Sequence, residues 1–253
     1  AFDPVSDALT SEEAKHVIGG QGCLWSEFVE TPDMIEYMVL PRIAALAEVV
    51  WTPRENRDFE SFKTRMARLY RRYDALGFNY AKSAYNVGFD VAIDPATFDA
   101  TVTMKSNASG NTIHYTLDGS EPGASSTLYD KPVVLNATSH VRAVSFVGSE
   151  RAGAVTAIEY ARHKASGKKP ALAKPYNDRY KGVGDMTLTN GLKGTKNYAD
   201  GQWQAYLGVD LDAVIDLGET TPVGRISSTY FHNPDVWIFM PASVEYAISE
   251  DGA

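Results

Sequence analysis

The stretch Gly19-Gly20-Gln21-Gly22-Cys23-Leu24-Trp25-Ser26-Glu27-Phe28, with the segment from Pro32 to Trp51 behind it, decides how this chain is read. His16, Val17 and Ile18 lead into it as a short β-rich run and the following segment has helical texture, so the block reads as strand, turn, helix. A strand persisting to the end of the block would put Cys23, Trp25 and Glu27 on one face and Leu24 and Ser26 on the other. In a parallel α/β architecture the loops at the carboxyl ends of the strands form the mouth of the site. An indole beside a carboxylate suits a sugar there, because a sugar has an apolar C–H face and an edge of hydroxyls. A plainer reading fits the same spacing, with Trp25 in the core and Glu27 capping the next helix from just outside it. Spacing by itself favours that plainer reading.

The same run, followed by Leu40-Pro41-Arg42-Ile43-Ala44-Ala45-Leu46-Ala47-Glu48 and Trp51, resembles the last strand and helix of the catalytic barrel of family 20 glycoside hydrolases, the β-N-acetylhexosaminidases. The resemblance implies that Trp25 lines the pocket for a terminal N-acetylhexosamine and that Glu27 hydrogen-bonds hydroxyls of the same sugar. It implies a retaining, exo-acting enzyme that releases terminal N-acetylglucosamine or N-acetylgalactosamine by substrate-assisted catalysis. In that chemistry the sugar's own acetamido oxygen attacks the anomeric carbon, a glutamic acid protonates the leaving oxygen and an aspartate orients the acetamido group. It needs no metal or organic cofactor, and its partners are glycans containing N-acetylhexosamine. The family's adjacent Asp-Glu pair has no counterpart, since no Asp-Glu dipeptide occurs in the sequence. No catalytic residue is therefore assigned, and the chain alone is predicted inactive. A barrel of this type needs roughly 250 residues, so the chain is expected to be the carboxy-terminal portion of a larger enzyme, secreted or periplasmic by the family's usual substrates.

With 44% hydrophobic and 22% charged residues the chain has ordinary globular composition, enough for about two domains or parts of several. A formal charge of −8 argues against nucleic acid, which wants a basic surface. No transmembrane run appears. Cys23, the single cysteine, has no internal disulfide partner and reads as a small buried apolar residue. The histidines are scattered without ligand spacing, which argues against zinc.

Along the chain, Thr10-Ser11-Glu12-Glu13 fits a capping box. Thr31-Pro32-Asp33 starts a long helix that Pro41 should kink. A further helix is predicted from about Asp58 to Leu76, with an apolar stripe of Phe59, Phe62, Met66, Leu69, Tyr73 and Leu76, and Gly77 as its stop. Arg57, Arg65, Arg68, Arg71 and Arg72, interleaved with acids, read as a solvated helix surface. From about Asn86 the texture turns to short alternating runs, with strands predicted at Ala100 to Lys105, Thr112 to Leu117, Val133 to Leu135, His140 to Val147 and Val155 to Tyr160. Within them, Ile113-His114-Tyr115-Thr116-Leu117-Asp118-Gly119-Ser120-Glu121-Pro122, then Tyr129, Pro132 and Val141-Arg142-Ala143, resembles the β-sandwich that follows the barrel in chitobiase-type hexosaminidases. His114 and Tyr115 are expected to pack rather than meet a glycan.

Ser166-Gly167-Lys168-Lys169-Pro170 and Lys174-Pro175 read as an extended connection. Beyond it, Leu188-Thr189-Asn190-Gly191, Trp203, Ala213-Val214-Ile215-Asp216-Leu217-Gly218 and Phe239-Met240-Pro241 leading to Ser249-Glu250-Asp251-Gly252 resemble the discoidin or coagulation-factor type C fold, a β-sandwich that often binds carbohydrate. Trp203 and Trp237 are expected in its core, while Tyr230, Phe231 and His232 are the candidates for glycan contact. Some relatives of that fold hold calcium, for which Asn190, Asn197 and Asp200 would offer oxygen ligands.

The expected fold class is multidomain, α/β plus all-β: the carboxy-terminal strand and helices of a (β/α)8 barrel in 1–85, a small antiparallel β-sandwich in 86–161, a linker in 162–175 and a truncated discoidin-like β-sandwich in 176–253. The alternative to an enzyme part is a non-catalytic module that binds glycans or braces the barrel.

Overall fold

The computed structural model describes residues 3–250. Its helices begin where local chemistry can satisfy the free N–H groups of a first turn. Helix α1 (Ser11–Ala14) opens on a complete capping box: the Thr10 hydroxyl accepts from the Glu13 N–H, and the Glu13 carboxylate accepts from the Thr10 N–H. Helix α2 (Pro32–Val39) has the Thr31 hydroxyl accepting from the Met34 N–H and Pro32 in its first turn. The single kinked helix expected through residue 51 is instead two helices, because α2 stops and α3 (Arg42–Trp51) starts afresh. Pro41 has no N–H to continue the ladder and its ring disfavours helical backbone at the residue before it. Leu40 accordingly turns extended, at φ −94° and ψ 133°. Helix α4 (Phe59–Leu76) is capped by Asp58, which accepts from the Glu60 and Ser61 N–H groups, and ends on left-handed Gly77.

The predicted stripe on α4 is real at its centre and wrong at its ends. Met66, Tyr70 and Tyr73 are buried, with Phe62 and Leu69 packed beside them, whereas Phe59 and Leu76 are largely exposed. Tyr70 lies outside the expected stripe, yet it is the hub. Its ring stacks on Tyr80 with centroids 5.2 Å apart and an interplanar angle of 10°, and lies 5.5 Å from Tyr85. The Tyr80 hydroxyl donates to Asp74 at 3.1 Å. Burial pushes the Tyr70 phenol up to about 12 and raises Tyr73, Tyr80 and Tyr85 in the same direction.

The β segment consists of β1 (Gly88–Ile93), β2 (Ala100–Lys105), β3 (Thr112–Thr116), β4 (Thr127–Leu128), β5 (Val133–Leu135), β6 (Ser139–Val147), β7 (Glu150–Arg151) and β8 (Thr156–Tyr160); β2, β3, β5, β6 and β8 follow the predicted runs closely, while β1, β4 and β7 have no counterpart among them. They form sheets ordered β1-β2-β5 and β4-β3-β6-β7, with β8 also on β6, a two-sheet arrangement consistent with a small sandwich. Antiparallel register pairs Ala100 with Leu135 and Val102 with Val133, and Val141 with Ile158. Val102, Val141, Ala143 and Val144 are fully buried.

The chain divides into two compact units. One holds the chain up to Gly88 with Lys105–His114 and Val144–Val155. In it the Ser109 hydroxyl donates to Lys63 O on α4, the Asn107 N–H to Ala84 O, and the Ala154 N–H to the Asn86 side chain. Buried Ser145 is satisfied by Asn111, which also bonds Ser106. His114 packs edge-on against Phe146 at 5.1 Å, as a packing residue should. The other unit holds Phe89–Met104, Tyr115–Ala143 and the chain from Thr156. There Tyr115 meets Tyr129 edge-on, the Tyr160 hydroxyl donates to Phe98 O, and Arg162 pairs with Asp99. Residues 162–175 carry β9 (Ala171–Leu172), which pairs antiparallel with β10 (Ala213–Val214). Among the described residues from 176 onward β10 is the one named strand. The expected motif residues Asp251 and Gly252 lie outside the described residues.

Gly153 shows how tightly the first unit is closed: a Cβ there would stand 2.8 Å from Tyr85 O, a backbone atom with no side chain to swing away. Gly153→Ala should lower stability by about 1–3 kcal/mol, read as a fall in urea midpoint at unchanged slope. Gly123→Ala, where nothing lies within 4 Å, should stay within about 0.5 kcal/mol of the parent.

Candidate functional site

The segment expected as a strand is irregular. The His16 and Val17 N–H groups bond back to Glu13 O and Ala14 O, and from 17 to 25 no strand is formed. A strand exists only through a neighbour that takes its N–H and C=O groups, and none pairs with 16–25 among the described residues. The alternating-face argument for Cys23, Trp25 and Glu27 therefore does not hold in this structure. Trp25 instead precedes a 3₁₀ turn, Ser26–Phe28, with Glu27 in its middle. Trp25 is 71% exposed, so it is not a core residue, and Glu27 is exposed as well. Nor does Glu27 cap α2, because Thr31 does. Cys23, expected buried, is exposed, its sulfur accepting from the Gln21 amide at 3.4 Å.

What supports this loop is α3. A Cβ on Gly20 would stand 3.2 Å from Val50 and 3.5 Å from Leu46, and one on Gly22 would stand 3.4 Å from Leu46. The backbone at Gly20 and Gly22 thus runs over the Leu46 and Val50 side of α3. Helix α3 is itself held by arginines. Arg65 of α4 makes two parallel bonds to Glu48, at 2.8 and 2.7 Å. Arg57 donates to Val49 O and Thr52 O at the end of α3 while pairing with Asp3, and Arg54 pairs with Asp7. These contacts hold carboxylates below their usual range: Asp3 chiefly through the Val5 N–H and then Arg57, Asp7 through Arg54, and Glu48 through Arg65. So Arg57 and Arg65 make tertiary ion pairs, Arg57 from a mostly covered position and Arg65 from the helix surface, where it stays 52% exposed. A cleft of about 380 Å³ between α3 and α4, walled by Ala44, Ala47, Trp51, Phe62 and Leu69, includes neither Trp25 nor Glu27.

In the second unit the expected roles of Trp237 and Phe231 are exchanged, while Trp203 packs as expected. Trp237, expected in the core, is 85% exposed. Phe231, expected at a binding loop, is half-buried, 5.4 Å from the Trp203 ring and 6.4 Å from Tyr198. Trp203 lies against Gly194 and donates its indole N–H to Thr195 O at 2.9 Å. Tyr230 is half-buried and accepts from Ser228, while His232 is exposed. The side-chain oxygens proposed for calcium accept local backbone N–H groups: Asn190 from Leu192, Asn197 from Ala199, and Asp200 from Thr195 and Gln202. The sequence offers no signal for the Glu48–Arg65 clamp, because its two halves lie on separate helices.

Two segments match protein-family models: residues 1–54 match glycosyl hydrolase family 20, catalytic domain, and residues 94–157 match the chitobiase/beta-hexosaminidase C-terminal domain. A beta-hexosaminidase of Porphyromonas gingivalis is 32% identical over 140 residues, 53% of this chain and 17% of that protein. A beta-N-acetylhexosaminidase of Cellulomonas fimi is 37% identical over 67 residues, 26% of this chain and 14% of that protein. A beta-hexosaminidase of Vibrio vulnificus is 50% identical over 44 residues, 17% of this chain and 5% of that protein. The chain therefore spans less than a fifth of the length of these relatives, and it joins a family 20 catalytic-domain segment to a chitobiase-type domain. No helix among the described residues is long and apolar enough to cross a membrane.

The clamps around α3 predict an acid sensitivity. Asp3, Asp7 and Glu48 have folded pKa values below their unfolded ones, so their stabilisation is present above the unfolded values and disappears as pH falls through the folded ones. The urea midpoint should fall modestly as pH drops below about 4.5. Asp3→Asn combined with Asp7→Asn should flatten that fall, and an unchanged profile would show that the ion pairs carry none of it.

Proposed function

We propose that this chain is the carboxy-terminal part of a retaining exo-β-N-acetylhexosaminidase, and that Trp25 and Glu27 hold the terminal sugar. The observation that carries the reading is the order of the two family segments along one chain, with Trp25 and Glu27 inside the first and both facing solvent. An exposed indole offers a flat apolar wall for the C–H face of a pyranose, and a carboxylate two residues on offers acceptors to its hydroxyls. Both groups bind and orient; neither transfers a proton. The substrate-assisted step, with the acetamido oxygen as nucleophile and an Asp-Glu pair to orient and protonate, needs residues this sequence does not contain. The chitobiase-type sandwich then braces the helical part, a role supported by the Ser109, Asn107 and Ala154 bonds within the first unit. The region from 176 is the start of a discoidin-like glycan-binding module, and the enzyme acts outside the cytoplasm, where such glycans are met.

In the full-length protein that carries this chain, Trp25→Ala should raise KM for a chromogenic N-acetylglucosaminide about tenfold to a hundredfold, the worth of one large apolar contact. Glu27→Gln should raise it about tenfold or more, as expected for losing hydrogen bonds to a charged acceptor. The 253-residue chain alone should show no turnover. Turnover by that chain, or an unchanged KM in Trp25→Ala, would overturn the reading.

A further inference from the structure

We infer that the region from 176 onward is docked on the sandwich and held rigidly to it where residues 191–193 lie along the end of β8, so that 162–175 is a bonded connection and not a flexible spacer. Every contact involved is made by residues of this chain within the second unit. The docking itself needs nothing else, while its use rests on the reading of the region from 176 as a glycan-binding module.

Strand β8 is a sheet edge. It pairs with residues 139–143 of β6, and among the described residues no named strand lies on its other side. Such an edge carries backbone N–H and C=O groups that need partners. At the end of β8 those partners come from the third region: the Ala161 N–H donates to Gly191 O at 2.7 Å, and the Lys193 N–H donates to Glu159 O at 3.2 Å. The two bonds set Tyr160 opposite Leu192 in an antiparallel bridge. The Lys193 ammonium meets the Glu159 carboxylate at 3.0 Å in the same register.

The fit depends on residue 191 being glycine. Its φ is +78°, in the left-handed region, and a Cβ there would stand 2.7 Å from Ala161 O and 2.9 Å from the Tyr160 ring. Tyr160 cannot easily give way, because it is 1% exposed and its hydroxyl donates to Phe98 O. A second seam lies beside the first. Thr189, fully buried, donates its hydroxyl to Lys168 O at 2.7 Å and accepts from the Gly167 N–H at 3.1 Å. The connection is therefore bonded in its middle to the third region. At its start the Arg162 N–H donates to the Thr138 hydroxyl while the guanidinium pairs with Asp99, and further on β9 pairs with β10. A flexible tether leaves its amides to water, and this segment does not.

Rigid attachment changes what a binding module can do. On a loose tether it reaches many spacings weakly, whereas a fixed one has a high effective concentration at one spacing and little elsewhere. Held in this way, the region from 176 suits a long glycan whose second point of contact lies at a set distance from the first.

The test uses the full-length protein and reads hydrogen exchange by mass spectrometry in peptides covering 159–168 and 189–193. In the parent both should exchange about a hundredfold more slowly than free chain, as bonded and covered amides do. Gly191→Ala should speed exchange in both about tenfold or more, by pushing 191–193 off β8. Gly201→Ala is the control. It puts alanine at another left-handed position, φ +81°, with nothing within 4 Å, so it bears the backbone strain without the contact and should leave both peptides unchanged. Free-chain exchange of either peptide in the parent, a measurement that needs no variant to fold, would overturn the docking. Equal effects of Gly191→Ala and Gly201→Ala would overturn it too. Retention of the parent on an insoluble polymer of N-acetylglucosamine reports separately on the glycan reading: slow exchange without retention leaves the docking standing and strikes that reading alone.

Discussion

The covering of one helix face organises the first unit. Helix α4 carries an apolar stripe through Met66, Tyr70 and Tyr73, and such a stripe must be removed from water for the helix to hold. Tyr80 and Tyr85 fold back to cover it, Leu40 and Ala44 meet it from the segment around Pro41, and Ala108 and Ala152 meet it from the β part. One patch of rings therefore gathers parts of the chain that are far apart in sequence. Tyrosine does this better than leucine would, because each ring fills a wide flat gap while its hydroxyl can still find a partner, as Tyr80 finds Asp74. The same burial that binds the rings keeps their phenols protonated across ordinary pH.

What can be read from sequence is what local chemistry decides. Thr10 and Thr31 each cap the helix expected of them, and Gly77 ends α4, because a cap concerns only its own few residues. Strands β2 and β5 have the expected bounds, and β3, β6 and β8 have them to within a residue, since alternation and turn residues mark them. Pro41 reads as a kink and is a break: the missing N–H is legible, but not how the backbone resolves it. Burial is less legible. Cys23 and Trp237 are expected inside and stand outside, while Phe231 is expected at a binding loop and packs on Trp203. A side chain's burial depends on what other segments bring to it, and periodicity carries no record of that.

The candidate site shows the same division. Trp25 and Glu27 stand out by residue type and motif, and the 1–54 family match covers them. Their geometry does not, because the argument from alternating faces assumes a strand, and a strand is a property of two segments. The clamp of Glu48 by Arg65 is equally invisible, although both residues belong to recognisable patterns, one to a motif and the other to a row of arginines. Only the structure shows that Arg65, exposed like Arg68, Arg71 and Arg72, is the arginine of that row that meets Glu48.

Pre-organisation is the physical reason that supports of this kind matter to a sugar site. A pyranose offers a binding protein shallow apolar surface and hydroxyls that water already satisfies, so each interaction with it is weak against the cost of ordering the groups that make it. An indole free to wander adds little, because stacking it on a sugar must first restrict it. An indole whose backbone is already held adds nearly the whole stacking energy. Gly20 and Gly22 lie over α3, where a Cβ on Gly20 would stand 3.2 Å from Val50 and one on Gly22 3.4 Å from Leu46. On the proposed reading of Trp25 as a sugar contact, any restraint that α3 places on this backbone would lower the entropy cost of stacking the indole.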